Sequence, residues 1–235
     1  MDNLFIKEVD HDILLVRQEK VPGPFTCCAG LLVLPKSNRN SEPIVVDVNI
    51  EPQYVKRIAE EYGTPSSYVC SHGHMDHIAH VHQWENLGVK IHAPQPEADY
   101  LLNLRNFYEG FGFDEDLDYE VIKKFGESNR YKPCKKVEPF ELGSTLQFEN
   151  LELETLPLLG HSKGHVGFLF SREKLIHVSC IGFDQPRPGK DGFGPWYGFK
   201  ECSIPQYFKD IEYAESFYMR YARFLTSSHS YIVKN

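Results

Sequence analysis

Ser71-His72-Gly73-His74-Met75-Asp76-His77 is the stretch that decides how the chain is read, because three imidazoles and a carboxylate fall within six residues. The preceding Ser67-Tyr68-Val69-Cys70 is rich in β-formers and predicts a short strand, and Ile78 to Leu87 predicts a helix. The cluster therefore sits on a loop that leaves a strand and enters a helix. Two residues apart on extended backbone, His72 and His74 turn to the same side. Asp76 and His77, past the turn, reach a second position beside them. Imidazole nitrogen and carboxylate oxygen are the usual ligands of zinc and of non-haem iron or manganese.

Working outward, the flanks alternate strand and helix. Upstream, Leu4–Ile6 and Ile13–Val16 read as short strands about the turn Asp10-His11-Asp12. Cys28 to Leu34 and Ile44 to Val48 read as buried strands, Pro35 stopping the first. Pro52 opens a helix that Gly63 closes after Tyr62. Downstream, Val89–Ala93 is a further strand. This alternation predicts an α/β layered architecture. His80, His82 and His92 lie on these flanks, where each taken singly packs or supports; His80 follows His77 at helical spacing.

Residues 95–135 depart from the pattern. The segment is polar, acidic and aromatic, with Tyr100, Phe107, Tyr108, Phe111, Phe113 and Tyr119 and glycines at 110 and 112. It reads as a helical insertion beside the site, either a lid or pocket wall or a surface helical pair. From Phe140 strands return: Leu146, Phe148, Leu151 and Leu153 alternate with polar residues. Leu156 to His165 places His161 between glycines in a loop after a strand, a second placement suited to a ligand. Phe168–Phe170 and Leu175–Val178 predict a hairpin. Residues 183–204 are rich in Gly, Pro and aromatics and read as a loop centred on Gly194 to Phe199, whose Trp196 and Tyr197 are expected either to line the pocket or to anchor the loop. Ile204–Phe224 is a helix, and Leu225–His229 a last strand and loop.

His72-x-His74-x-Asp76-His77 resembles the signature of the metallo-β-lactamase superfamily. Gly160-His161-Ser162-Lys163-Gly164-His165 resembles its second histidine segment, Ser228-His229 its final histidine loop, and the apolar strands with Asp47 its early strands. The landmarks match in order across nearly the whole chain. The resemblance implies a four-layer αββα sandwich with the site at one edge of two facing sheets. It implies one metal held by His72, His74 and His161 and a second by Asp76, His77 and His229. His165 matches a position that is usually not a ligand. The chain departs from the pattern after Leu175–Val178. Where most hydrolytic members have Gly-Asp, whose aspartate bridges the metals, this chain has Ser179-Cys180. Three readings stay open: Cys180 as a thiolate ligand, Asp184 bending back in its place, or a weak second site. Lactamases with a cysteine there usually lack a histidine at the position of His77, so the mixture argues against β-lactam hydrolysis.

The resemblance implies a hydrolase that turns a metal-activated water on an ester, thioester, lactone or amide, with Asp76 orienting the nucleophile. Zinc is expected, two per chain, with iron or manganese as alternatives. Two other functions compete: a mononuclear iron oxygenase resembling persulfide dioxygenases, and a non-catalytic metal-binding domain. With 235 residues the chain fits a single domain, and 33 acidic against 25 basic side chains give a formal charge of -8. That balance disfavours nucleic acid or an anionic membrane as main partner, and the resemblance implies a small-molecule substrate. No transmembrane run or signal peptide is visible, and the cysteines show no disulfide framework, so a cytoplasmic protein with reduced thiols is expected. The aromatics at 95–135 and 193–199 are equally suited to a homodimer contact.

Overall fold

The computed structural model describes residues 3–23, 26–35, 41–149, 151–181, 200–229 and 232–234. The first sheet contains β1 (Leu4–Asp10), β2 (Ile13–Gln18), β3 (Gly30–Val33), β4 (Ile44–Val46), β5 (Ser67–Val69), β6 (Lys90–Pro94) and β7 (Glu138–Phe140), hydrogen-bonded in that order. β1 to β4 pair antiparallel, and β4 to β7 pair parallel. The second sheet contains β8 (Thr145–Gln147), β9 (Glu152–Pro157), β10 (Val166–Phe170), β11 (Leu175–His177), β12 (Phe224–Thr226) and β13 (Ile232–Lys234), in the order β13-β12-β11-β10-β9-β8. Its pairs are antiparallel except β11 with β12.

Alternation along the strands builds the layers. On β3, Leu31 and Val33 turn inward to meet Phe168, Phe170, Leu175 and Phe224 of the second sheet. Leu32, between them, faces the other way and packs with Val55 and Ile58 of α1 (Pro52–Tyr62) and with Trp84 of α3 (Val81–Glu85). Leu169 and Ile176, on the outer face of the second sheet, cover Tyr207, Ala214 and Tyr218 of α6 (Ile204–Tyr221). Helix, sheet, sheet and helix thus stack around three apolar seams, the expected αββα arrangement.

Most boundaries agree with the sequence reading. α1 starts on Pro52 and is capped by Gly63 at φ 94°, a conformation that favours glycine. The helix expected over Ile78–Leu87 is different. It begins a turn earlier, as α2 (Met75–Ile78), and breaks before α3. The Asn49 side chain causes the break: Oδ1 accepts the His80 amide, and Nδ2 donates to the Asp76 carbonyl. The helix expected to reach Phe224 ends at Tyr221, and Phe224 opens β12.

Segment 95–135 is helical, with α4 (Leu104–Gly110) and α5 (Tyr119–Ser128). Its Tyr100, Phe107 and Phe111 bury into the same seam as α1 and α3. Among the described residues, no helix is long and apolar enough to cross a membrane.

Candidate metal centre

β4, β5 and β6 run parallel, and so do β9, β11 and β12, so the C-terminal ends of the strands in each set gather at one edge. The residues just beyond them carry the site: Asp47 after β4, His72–His77 after β5, His161 after β9, Cys180 after β11 and His229 after β12. Ligand sites in open α/β sheets form at such ends.

Three donor sets converge there. His72, His74 and His161 form one, Asp76, His77 and His229 a second, and His72, His77 and Cys180 a third, the donor atoms of each lying within 4.8 Å of one another. His72 Nε2 lies 3.0 Å from His74 Nδ1, and Cys180 Sγ lies 3.2 Å from both His77 Nε2 and His229 Nε2. A tetrahedral centre with metal–nitrogen bonds of about 2.0–2.1 Å separates its donors by roughly 3.3 Å. The spacing therefore suits a metal ion. The two ring nitrogens of His161 are buried and have no hydrogen-bond partner among the described residues. Burial, then the neighbouring histidines, hold His72, His74 and His161 well below the usual imidazole range, which keeps their lone pairs available at neutral pH.

The supporting residues fix each ring. Ser71 Oγ lies 2.9 Å from His72 Nδ1 and turns Nε2 inward. Asp47, fully buried at φ 59°, accepts from the Ser71 amide at 2.8 Å, Ser179 Oγ at 3.0 Å and Ser228 Oγ at 3.1 Å. Its Oδ2 also lies 3.2 Å from His77 Nδ1, which directs His77 Nε2 at Cys180. Burial opposes the charge on Asp47, but His77 and the hydrogen bonds from His177 and His77 outweigh it and hold the carboxyl well below its ordinary range. Burial likewise opposes a thiolate at Cys180, yet His77 and His229 bring the thiol down from its usual value.

α6 secures the loops from behind. Asp210 accepts the Gly160 amide at 2.6 Å, and Tyr207 Oη donates to the Cys180 carbonyl at 2.9 Å. His165 Nδ1 faces the Leu158 carbonyl at 2.9 Å, leaving Nε2 to accept the Cys180 amide at 3.2 Å. His177 is fully buried between Thr226 Oγ1 and Ser228 Oγ. Phe111 packs against His74 with ring centroids 4.9 Å apart, so segment 95–135 walls one side of the histidine set.

The structure thus brings together His72, His74, Asp76, His77, His161, Cys180 and His229. His80 is buried behind the site, and His82 and His92 lie outside the donor sets. Asp184, Trp196 and Tyr197 lie outside the described residues. Asn49 and Glu97 had no place in the sequence reading, and Ser71, Ser179 and Ser228 stood there only as neighbours of ligand-type residues, with no role of their own. Asp47 was visible there only as a carboxylate at the end of an apolar strand.

The whole-fold likeness is to metallo-β-lactamases. The chain superposes on the DIM-1 metallo-β-lactamase with a TM-score of 0.66 at 18% identity, covering 99% of this chain and 92% of that one. The BLEG-1 B3 metallo-β-lactamase gives 0.66 at 15% identity over 90% of each chain. A metallo-β-lactamase family protein from Thermus thermophilus gives 0.67 at 17% identity, over 99% of this chain and 75% of that one. The chain has the metallo-β-lactamase fold. No protein-family description and no curated protein matches its sequence.

Proposed function

We propose that this chain is a metal-dependent hydrolase of small molecules carrying an ester, thioester, lactone or amide bond. The observation that carries the reading is the convergence of seven buried or half-buried donors from four strand-end loops, including a His161 ring whose nitrogens have no hydrogen-bond partner among the described residues. The metallo-β-lactamase fold of the neighbours supports it. His72, His74 and His161 would hold one metal; Asp76, His77 and His229 would hold another, with Cys180 as the sulfur ligand. A nitrogen, sulfur and carboxylate set of this kind favours zinc. A metal held by these residues would supply an acidified water and polarise the substrate carbonyl.

The chain's own groups do the rest. Asp47, with Oδ2 3.2 Å from His77 Nδ1, would keep that ring's proton on Nδ1 and leave Nε2 to face the metal. Asp76, on the first turn of α2, places Oδ2 3.7 Å from His77 Nε2 and remains slightly exposed at 8%, so it can orient a nucleophile and pass a proton to a leaving group. His74 and His229 face the open side of the set, while His72 and His161 lie deeper.

Plasma mass spectrometry on protein expressed without added metal tests the reading, together with turnover of an ester, thioester, lactone and amide panel before and after chelation. About two zinc ions per chain and chelator-sensitive turnover are expected. About one iron with oxygen consumption on persulfides would replace hydrolysis with an oxygenase. Metal binding without turnover of any panel member would leave a binding domain.

A further inference from the structure

Glu97 follows β6 in the sequence Pro94-Gln95-Pro96-Glu97, far in the chain from every ligand-type residue of the site. Its side chain is nevertheless fully buried between the two loops that carry the histidine set. Oε2 accepts the Gly73 amide at 2.6 Å, and Oε1 accepts the Gly164 amide at 2.8 Å. Gly73 is the single residue between His72 and His74, and Gly164 lies in the loop from His161 to His165. One carboxylate thus spans loops from different sheets. Both loop positions are glycine for a steric reason. A Cβ on Gly73 would stand 3.2 Å from Glu97 Cβ and 2.5 Å from Tyr100 Cδ2, and one on Gly164 would stand 2.8 Å from Glu97 Cδ and Cγ. Lys163, whose ammonium lies 5.4 Å from the centre of the Tyr100 ring, places a positive charge near the carboxylate.

We propose that Glu97 is a positioning residue that sets the separation of the His72–His74 loop from the His161 loop and so defines the three-histidine metal site. The inference rests on the reading of those histidines as metal ligands. Apart from this bridge, the loops meet in a backbone bond at their base, from the Val166 amide to the Ser71 carbonyl at 3.1 Å, and rest on different supports: Ser71 is tied to Asp47, and Gly160 to Asp210 on α6. Glu97 hydrogen-bonds to both loops through one side chain. A neutral amide in its place has one accepting oxygen for two amide donors, so one loop is released while the side-chain volume is kept. Outer groups of this kind change metal affinity by about 10–100-fold when removed.

The test compares wild type with Glu97→Gln and Gly164→Ala in stepwise metal titrations against a chromophoric chelator. The cobalt-loaded spectra of all three proteins are recorded as well. Both variants are expected to weaken the three-histidine site by about 10–100-fold and to leave the site containing Cys180 in place, read by its sulfur-to-cobalt absorption. The double variant is expected to lose less than the sum of the two single losses, because both break the same bridge. A readout free of metal accompanies this. In the metal-free protein the Gly73 and Gly164 amide protons, bonded to a carboxylate, are expected downfield in nuclear magnetic resonance spectra. At least one should move upfield in Glu97→Gln. Unchanged affinity at the three-histidine site overturns the proposal, and so does equal weakening of both sites in step with a lower melting temperature. Absence of metal binding in wild type, with the amide shifts as expected, would remove the metal reading and leave the bridge as a purely structural tie.

Discussion

Replacing Asp47 by Asn isolates one charge at the heart of the site. The backbone at Asp47 has φ 59°, a conformation that asparagine tolerates, so the change adds no backbone strain. The consequence follows from counting donors. Oδ1 receives the Ser71 amide, and Oδ2 faces Ser179 Oγ, Ser228 Oγ and His77 Nδ1. A backbone amide can only donate, so the asparagine oxygen stays on Ser71 and its NH2, with two hydrogens for three neighbours, faces the rest. The serine hydroxyls rotate to accept. An NH2 cannot accept from His77 Nδ1, so that ring loses its carboxylate acceptor and its proton is expected to move from Nδ1 to Nε2. That nitrogen lies 3.2 Å from Cys180 Sγ, inside the donor set, and once protonated it cannot ligate.

The loss is that of a hydrogen bond to a charged group in a dry site, roughly 1.5–3 kcal/mol. At about 1.4 kcal/mol per decade this corresponds to a 10- to 150-fold weaker second metal. His72 rests on Ser71 Oγ rather than on Asp47 directly, so the three-histidine site should stay close to wild type. Stepwise competition titration with a chromophoric chelator measures both equivalents. A second equivalent held as tightly as in wild type would refute the tautomer argument. Equal loss of both equivalents would show instead that Asp47 only holds the fold together.

Other perturbations probe neighbouring parts of the site. Cys180→Ser keeps a polar group 3.2 Å from His77 and His229 but removes the thiolate, so second-metal occupancy and the sulfur-to-cobalt band should both fall; full occupancy with full activity would exclude Cys180. Burial lowers His165 from 6.5 to about 4. The unfolded chain then takes up the proton first, and this part of the stability, complete above pH 6.5, is lost as pH falls toward 4. The loss amounts to about 3 kcal/mol at 1.36 kcal/mol per unit. Metal-free His165→Gln, which can donate to Leu158 and accept from Cys180, should show a correspondingly shallower acid loss in urea unfolding, and an unchanged slope would refute this. Asp210→Ala leaves the buried Gly160 amide without its acceptor, at about 1–3 kcal/mol of unfolding free energy, and should loosen His161; an unaltered melting temperature would count against α6 as the anchor of that loop.

The parts of this molecule that were legible in the sequence are those where chemistry restricts the residue type. A metal donor has to be one of a few side chains, so His72, His74, Asp76, His77, His161, Cys180 and His229 stand out, and strand-end loops are where the fold gathers them. Leu31 and Val33 facing one way and Leu32 the other follow from the period of a strand, which is why the layers were legible too. The supports obey a looser rule. The Gly73 and Gly164 amides need an acceptor, but any carboxylate, amide or carbonyl that arrives there would serve, and Glu97 reaches Gly164 across 67 residues of chain from a segment full of other acids. Asn49 is the same case on a smaller scale. Its two bonds to Asp76 and His80 split one expected helix into α2 and α3, overriding the apolar periodicity of Ile78–Leu87. That break has a chemical consequence. It holds Asp76 and His77 on a single isolated turn whose direction is set by Asn49 rather than by a longer helix. The geometry of the second donor set therefore depends on a residue that carries no ligand chemistry of its own.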